Sequence, residues 1–273
     1  MNCGRNRKPL SGGWNQLTDQ ELHNQKIAML LLKKDEHFII RTEENEYSLV
    51  ILEGAVAFNI QSGEVGTLGP RRNVFEDLPE GLLLTKQEEV TLTAVSDCQM
   101  GIHYAPAPRK FRNYLIKKAD IRVNERGTDN WRRKVHKIFW NDNSEGNALL
   151  TGETITYPGN WSTMPPHRHQ IFEEGKEMPY EEGYLFKFSH PKGFGLIWQF
   201  DDNGQMDQAF SLKENDVAYV GGGYHPVAAA PGSYLYHLTC MAGPKRMSQA
   251  RVHADYEYLL REQGMENQFT PQQ

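Results

Sequence analysis

The chain has 273 residues, and its 30 Lys and Arg against 35 Asp and Glu give a net charge of −5. That length suits one large or two small domains with a full core, and the mildly acidic balance argues against nucleic acid as a main partner. No apolar run approaches the ~18–20 residues that cross a bilayer, and the start, MNCGRNRKPLSGGW, has no apolar signal core.

Taken in order, residues 1–25 read as an N-terminal arm whose first 15 residues, rich in Gly, Arg and Asn, are mobile, with a short helix near Leu17–His23. From Lys26 the chain becomes a series of short apolar runs: KIAMLLL, HFIIR, YSLVILEGAVAFNI, EVGTLG, GLLLTK, EVTLTAVS and QMGIHYA. Runs this short, parted by Gly, Pro, Asp and Asn, predict strands of a β-sandwich or barrel. A turn is expected at Ser62-Gly63, and Gly54 inside a strand marks a bulge or a close approach. The pattern breaks at APAPR (residues 105–109), which suits a connection between units. A basic stretch follows, in which Arg132, Arg133, Lys134 and His136 are candidates to hold an anionic group or simply a solvated face. A second β series begins near Ala148 and follows the same order as the first. The expected division is therefore a barrel over residues 26–120 without a metal motif, a second over 121–246, and a tail over 247–273 with a short helix in HADYEYLLREQG. Cys3, Cys98 and Cys240 are odd in number and far apart, so neither a disulfide framework nor a Cys-x-x-Cys site is expected, and a cytoplasmic location fits.

Chemistry gathers in the second series. His167 and His169 stand two apart, and residues i and i+2 of a strand share a face, so both imidazoles aim at one point. His225 follows in GGGYHP. Three imidazoles and a carboxylate make an N3O1 metal site. Glu173, Glu174, Glu177, Glu181 and Glu182 compete for the carboxylate. In EEGYLFKF, Glu182 shares its face with Tyr184, Phe186 and Phe188, whereas Glu181 shares the other with Lys187. The phenylalanine face should point inward, which selects Glu182 and places Tyr184 beside it, while Lys187 should point outward. His103, the single mid-chain histidine of the first series, reads as a packing residue.

The segments GNWSTMPPHRH, EEGYLF, GFG, GYHPV and APGSYLYHLTCMAGPKR, with PRRNVFEDLP, APAP and RKVH in the first part, resemble the bacterial 5-deoxyglucuronate isomerases of inositol catabolism. The resemblance implies an all-β bicupin: two tandem jelly-roll barrels with few short helices. It also implies a divalent metal, zinc first with manganese or iron as alternatives, on His167, His169, Glu182 and His225, and an aldose–ketose isomerisation of a deoxy-uronic acid. A sugar carboxylate needs a cation. Arg133 and Arg72, with His136 nearby, are the substrate-binding candidates, and Tyr184 is the catalytic candidate, with Tyr224, Glu174 and Glu181 as alternatives. A homo-oligomer, dimer or larger, is expected because cupins often pair through sheet edges. Ile197, Trp198, Phe200 and Gln170 depart from the family pattern and change the expected pocket wall rather than the metal set. The competing functions are a metal-dependent cupin dioxygenase and a non-catalytic sugar-acid-binding cupin.

Overall fold

The computed structural model describes residues 3–262. They hold 22 strands, one short α-helix and two 3-10 turns. Strands β1 (Cys3–Asn6) and β2 (Gly13–Gln16) precede the first barrel. That barrel is built from β3 (Lys26–Leu32), β4 (His37–Arg41), β5 (Asn45–Ile60), β6 (Val65–Arg71), β7 (Gly81–Leu84), β8 (Glu89–Ala94), β9 (Cys98–Pro106) and β10 (Tyr114–Ile116). The long β5 pairs with β7 and β9 through its first half and with β6 and β8 through its second. Its change of partner comes at Gly54, where φ is +80° and an added Cβ would lie 2.0 Å from the Asp97 carbonyl. Only glycine fits that close approach.

The second barrel uses β11 (Val123–Arg126), β12 (Arg133–Phe139), β13 (Leu149–Thr156), β14 (Trp161–Ser162), β15 (His167–Arg168) and β16 (Glu181–Phe188). It is completed by β17 (Gly195–Phe200), β18 (Asp207–Leu212), β19 (Val217–Val220), β20 (Val227–Ala229) and β21 (Leu235–Ala242), and β22 (Arg251–Val252) follows. One sheet runs β1-β19-β16-β21-β13-β12-β11, and the facing sheet runs β14-β20-β17-β18. This is the expected all-β, two-barrel fold.

The barrels pack back to back. Leu30 of β3 belongs to the first barrel's interior, with Leu49, Ile51, Val56, Leu92, Met100 and Ile102. Its neighbours Ile27 and Met29 point the other way, onto Leu185, Tyr236 and Leu238 of the second barrel. A strand covered on both sides must be apolar at every position, which is why KIAMLLL shows no alternation. Apolar side chains, mostly aliphatic with Tyr47 and Phe58, fill the first interior, whereas the second mixes Tyr184, Phe186, Ile197 and Val220 with the polar groups described below.

Three expectations need correction. The N-terminal arm is tied down: Cys3–Asn6 pairs with Val217–Val220 of the second barrel, and Arg7 donates to both oxygens of Asp216 at 2.7 Å. Leu17–His23 is not helical. Leu17 and Leu22 are buried in the core between the barrels, which holds this segment as an irregular loop. Lys187 leaves its barrel's interior as parity requires but does not reach solvent. The first barrel covers it, and its ammonium donates to Gln99 at 2.9 Å and Glu214 at 3.0 Å. In the tail, Arg251–Val252 pairs with His167–Arg168 and a helix spans Tyr258–Glu262. Ahead of that helix the expected segment forms a 3-10 turn at Ala254–Tyr256 instead, and its last two residues, 263–264, lie outside the described residues. No helix of the described residues is long and apolar enough to cross a membrane.

Candidate metal centre

β16 delivers the carboxylate. Glu182 lies on the face that carries Tyr184, Phe186 and Phe188 into the second barrel. Glu181 faces away and accepts the amides of His23 and Asn24, at 2.8 and 2.6 Å from its Oε2. Just past β15, His169 places Nε2 2.6 Å from Glu182 Oε2. His225 places Nε2 3.1 Å from the same oxygen. It leaves a glycine turn in which Gly223 has φ +75° and an added Cβ would lie 2.7 Å from the Phe200 carbonyl. A side chain there would be strained and would crowd the backbone that holds His225. Donor atoms of His169, Glu182 and His225 all lie within 4.8 Å of one another, and all three residues are buried.

The second ring nitrogens decide whether this set suits a cation. Nδ1 of His169 lies 3.2 Å from the Tyr180 carbonyl, that of His225 3.0 Å from Gly223, and that of His167 2.9 Å from Pro165. A carbonyl only accepts, so each Nδ1 carries a hydrogen, and Nε2 of His169 and His225 is the atom a cation would take in place of the proton now shared with Glu182, the arrangement found around bound metals. The residues therefore fit a divalent cation. His167 stands at the edge of the group, its ring centroid 5.4 Å from that of His225 and 6.4 Å from that of His169. It is not among the three whose donor atoms converge.

The charges agree with this geometry. Burial works to raise the Glu182 carboxyl, but the hydrogen bonds from His169 and His225 outweigh it and hold the group well below the usual range. Burial likewise works to lower His169, and its hydrogen bond to Glu182 reverses the sign. Burial, then the neighbouring His225, push His167 down to about 3.

The remaining candidates divide. Tyr184 is fully buried beside the cluster, and its hydroxyl has no partner in hydrogen-bond geometry. Arg133 is inside the same barrel at 5% exposure. His136 and Arg72 are not brought to the cluster. His136 lies across β13 from the interior and meets Glu153 at 2.8 Å between the barrels. Arg72 is on the surface of the first barrel, paired with Glu76. Among the competing acids, Glu177 is buried but is taken up by Arg168 and Arg251.

One interior residue was missed. His237 lies against the Tyr184 ring at 5.0 Å between centroids, with Nδ1 2.7 Å from Thr239 Oγ1 and Nε2 3.4 Å from Ser162 Oγ. The signal was present in YLYHLTC: alternation puts His237 with Leu235 and Thr239 on one face and Tyr236 with Leu238 on the other. Burial is the main cause that pushes His237 down to about 4.

Comparison with known proteins places this geometry in context. Residues 14–259 match the profile of the KduI/IolB family. The 5-deoxy-glucuronate isomerase of Shouchella clausii is 32% identical over 216 residues, which is 79% of this chain and 80% of that protein. The one from Geobacillus thermodenitrificans is 29% identical over 253 residues, 92% of this chain and 89% of that protein. An IolB-like protein of Salmonella typhimurium LT2 superposes with a TM-score of 0.89 at 27% identity, covering 93% of this chain and 98% of its own. The Lactobacillus farciminis oxalate decarboxylase shares the two-barrel fold at a TM-score of 0.66 and 9% identity, covering 98% of this chain and 94% of its own.

Proposed function

The chain belongs to the KduI/IolB family, and from that premise we propose that it is a metal-dependent aldose–ketose isomerase acting on a deoxy-uronic acid, 5-deoxyglucuronate, in myo-inositol breakdown. The observation that carries the reading is the convergence of His169, Glu182 and His225 inside a closed barrel, with three Nδ1–H groups locked onto carbonyls. Relatives named as isomerases favour this class over an oxygenase or a non-catalytic binder.

A divalent cation on these residues, with His167 beside them, would polarise a sugar carbonyl as a Lewis acid. The imidazole and carboxylate donors suit zinc first, then manganese or iron. The protein must do the rest. Isomerisation moves a proton between adjacent carbons, so a base has to stand in the same interior. His237 meets that need: it is buried on the Glu182 face and steadied by Thr239 and Ser162. Tyr184, between His237 and the cluster, presents an O–H that can hold a substrate oxygen. The facing walls, Phe186 and Ile197, keep the site dry, which strengthens each of these interactions.

The partner under this reading is a small sugar acid. A homo-oligomer is part of the proposal and is read by light scattering. A cytoplasmic location agrees with three free cysteines, two of them buried.

Elemental analysis beside an assay on 5-deoxyglucuronate tests the whole. Wild type should carry about one divalent ion per chain, and His169→Ala should lose both the ion and the turnover. A wild-type protein that takes up no zinc, manganese or iron would overturn the metal site. Bound metal with no turnover of 5-deoxyglucuronate would overturn the assigned reaction.

A further inference from the structure

We propose that Arg133, together with Thr156 on the same interior face, forms an anion subsite that takes the carboxylate of the substrate and selects sugar acids over neutral sugars. The existence of the subsite rests on the geometry below. The identity of the acid rests on the isomerase reading.

Arg133 is a buried cation with no anion beside it among the described residues. Its Nη1 donates to the Trp131 carbonyl at 3.2 Å and its Nη2 to the Met164 carbonyl at 2.8 Å. No carboxylate of the described residues lies within ion-pair distance of it. Two of its five N–H groups are thus used, and both meet neutral acceptors. The contrast with Arg71 is direct, because that equally buried guanidinium lies 2.8 Å from Glu153. A buried charge with no counter-charge is costly, and buried charges are as a rule paired.

The register adds two independent features. Arg126 stands directly across from Arg133 on β11, so two guanidinium stems share one row. Thr156 stands across from Arg133 on β13, and its hydroxyl is buried with no hydrogen-bond partner. Burial, then the field of Arg126, push Arg133 down to about 9, the direction that a bound anion would reverse.

The row also connects to the metal cluster. In β21 and β13, His237 and Thr154 lie one inward-facing position along from Leu235 and Thr156. His237 feels the charges of both Glu182 and Arg133. Ser162, which faces His237, and Met164, whose carbonyl Arg133 holds, belong to the segment that leads into His167. A sugar acid with its carbonyl end at the cluster and its carboxylate at Arg133 would lay its middle carbons along His237.

The test compares 5-deoxyglucuronate with the matching neutral sugar, which has a hydroxymethyl group in place of the carboxylate. Arg133→Met should lower kcat/KM for the acid about 100-fold, chiefly through KM, and change the neutral sugar less than about threefold. Arg133→Lys should recover part of the loss. Thr156→Val, a near-isosteric change, should weaken the acid about fivefold and leave the neutral sugar unchanged. Equal losses for acid and neutral sugar would make Arg133 a structural residue and overturn the proposal, as would no loss for either. D-glucuronate binding by calorimetry, at checked metal content, separates this from the isomerase reading. If the wild type turns over nothing but binds glucuronate, and Arg133→Met abolishes that binding, the subsite stands and the reaction falls. Equal binding by both proteins overturns the subsite.

Discussion

His103 is a buried imidazole with nothing charged beside it. Gln25 spends its amide N–H groups on the carbonyls of Glu181 and Cys240, at 2.9 and 2.8 Å, so its Oε1 can only accept. The His103 Nδ1–H therefore donates to it at 3.1 Å, and Nε2 is left without a partner. Burial pushes the ring down to about 3 from its ordinary 6.5. A folded-state pKa below the unfolded one means that the penalty is absent above pH 6.5 and grows as pH falls, until the folded ring itself titrates near 3. The slope is about 1.4 kcal/mol per pH unit, or about 2 kcal/mol by pH 5. His103→Gln, which keeps a donor to Gln25, should shrink the difference in unfolding free energy between pH 7.5 and pH 5, read from urea titrations, by about that amount. An unchanged pH dependence would mean that the ring is already charged in the fold. His237 poses a different question. If it carries the proton, His237→Gln should lower kcat by roughly 10²–10⁴ while leaving metal content and KM within a few-fold. At this scale parity was informative: it separated Glu182 from Glu181 and would have found His237 had it been applied to YLYHLTC. Charge runs were not. Arg133, His136 and Arg72 are alike as cations in a sequence, and only the sheet places the first inside a barrel, the second between barrels and the third in solvent.

At the scale of elements, short apolar runs gave the strands because each needed only its own alternation to be read, and KIAMLLL was legible as a strand even though its two-sided burial was not. β1 was illegible for the opposite reason. CGRN is four mostly polar residues, and its partner, Val217–Val220, lies more than 200 positions away. Nothing local announces such a pairing, and the basic side chains that suggested a loose arm are the ones that anchor it. Arg7 forms a two-pronged bond to Asp216, which also accepts the Lys213 amide at 2.8 Å and lies 3.5 Å from Arg5. Asp216 is fully buried, while the Arg7 side chain is half exposed, so solvent screens part of that attraction. Asp216→Ala should then cost about 2 kcal/mol, chiefly from donors left unmet. Removing residues 1–8 should cost a similar amount, because it takes away the same donors and bares the edge of β19. A deletion as stable as the full chain would show that β1 lies on the barrel without supporting it.

Across the whole molecule the two barrels are joined by a polar clasp set into an apolar face. Glu153 of the second barrel accepts from Arg71 of the first at 2.8 and 3.1 Å, from the Tyr236 hydroxyl at 2.9 Å, and meets His136 at 2.8 Å. Arg71 also reaches the carbonyls of Ile51 and Asp77, at 2.9 and 3.0 Å, so its N–H groups are well used. Burial works to raise the Glu153 carboxyl, and Arg71 foremost, then His136, hold it below the usual range. The clasp sits among Phe75, Ile155, Tyr236 and Leu238, where a lone carboxylate has no access to water. A sequence cannot pair Arg71 with Glu153, since the two are 82 positions apart and each reads as one charge among many. The energetic consequence is asymmetric. Arg71→Met strips the counter-charge and strands Glu153, and should cost about 3–5 kcal/mol. Arg71→Met with Glu153→Gln removes both charges and keeps an acceptor for Tyr236, so the double variant should regain at least half of that loss. Urea unfolding of the two variants beside wild type measures the difference. If the double variant is as unstable as the single, the cost lies in lost packing and carbonyl bonds, not in the stranded charge, and the clasp is not an electrostatic device.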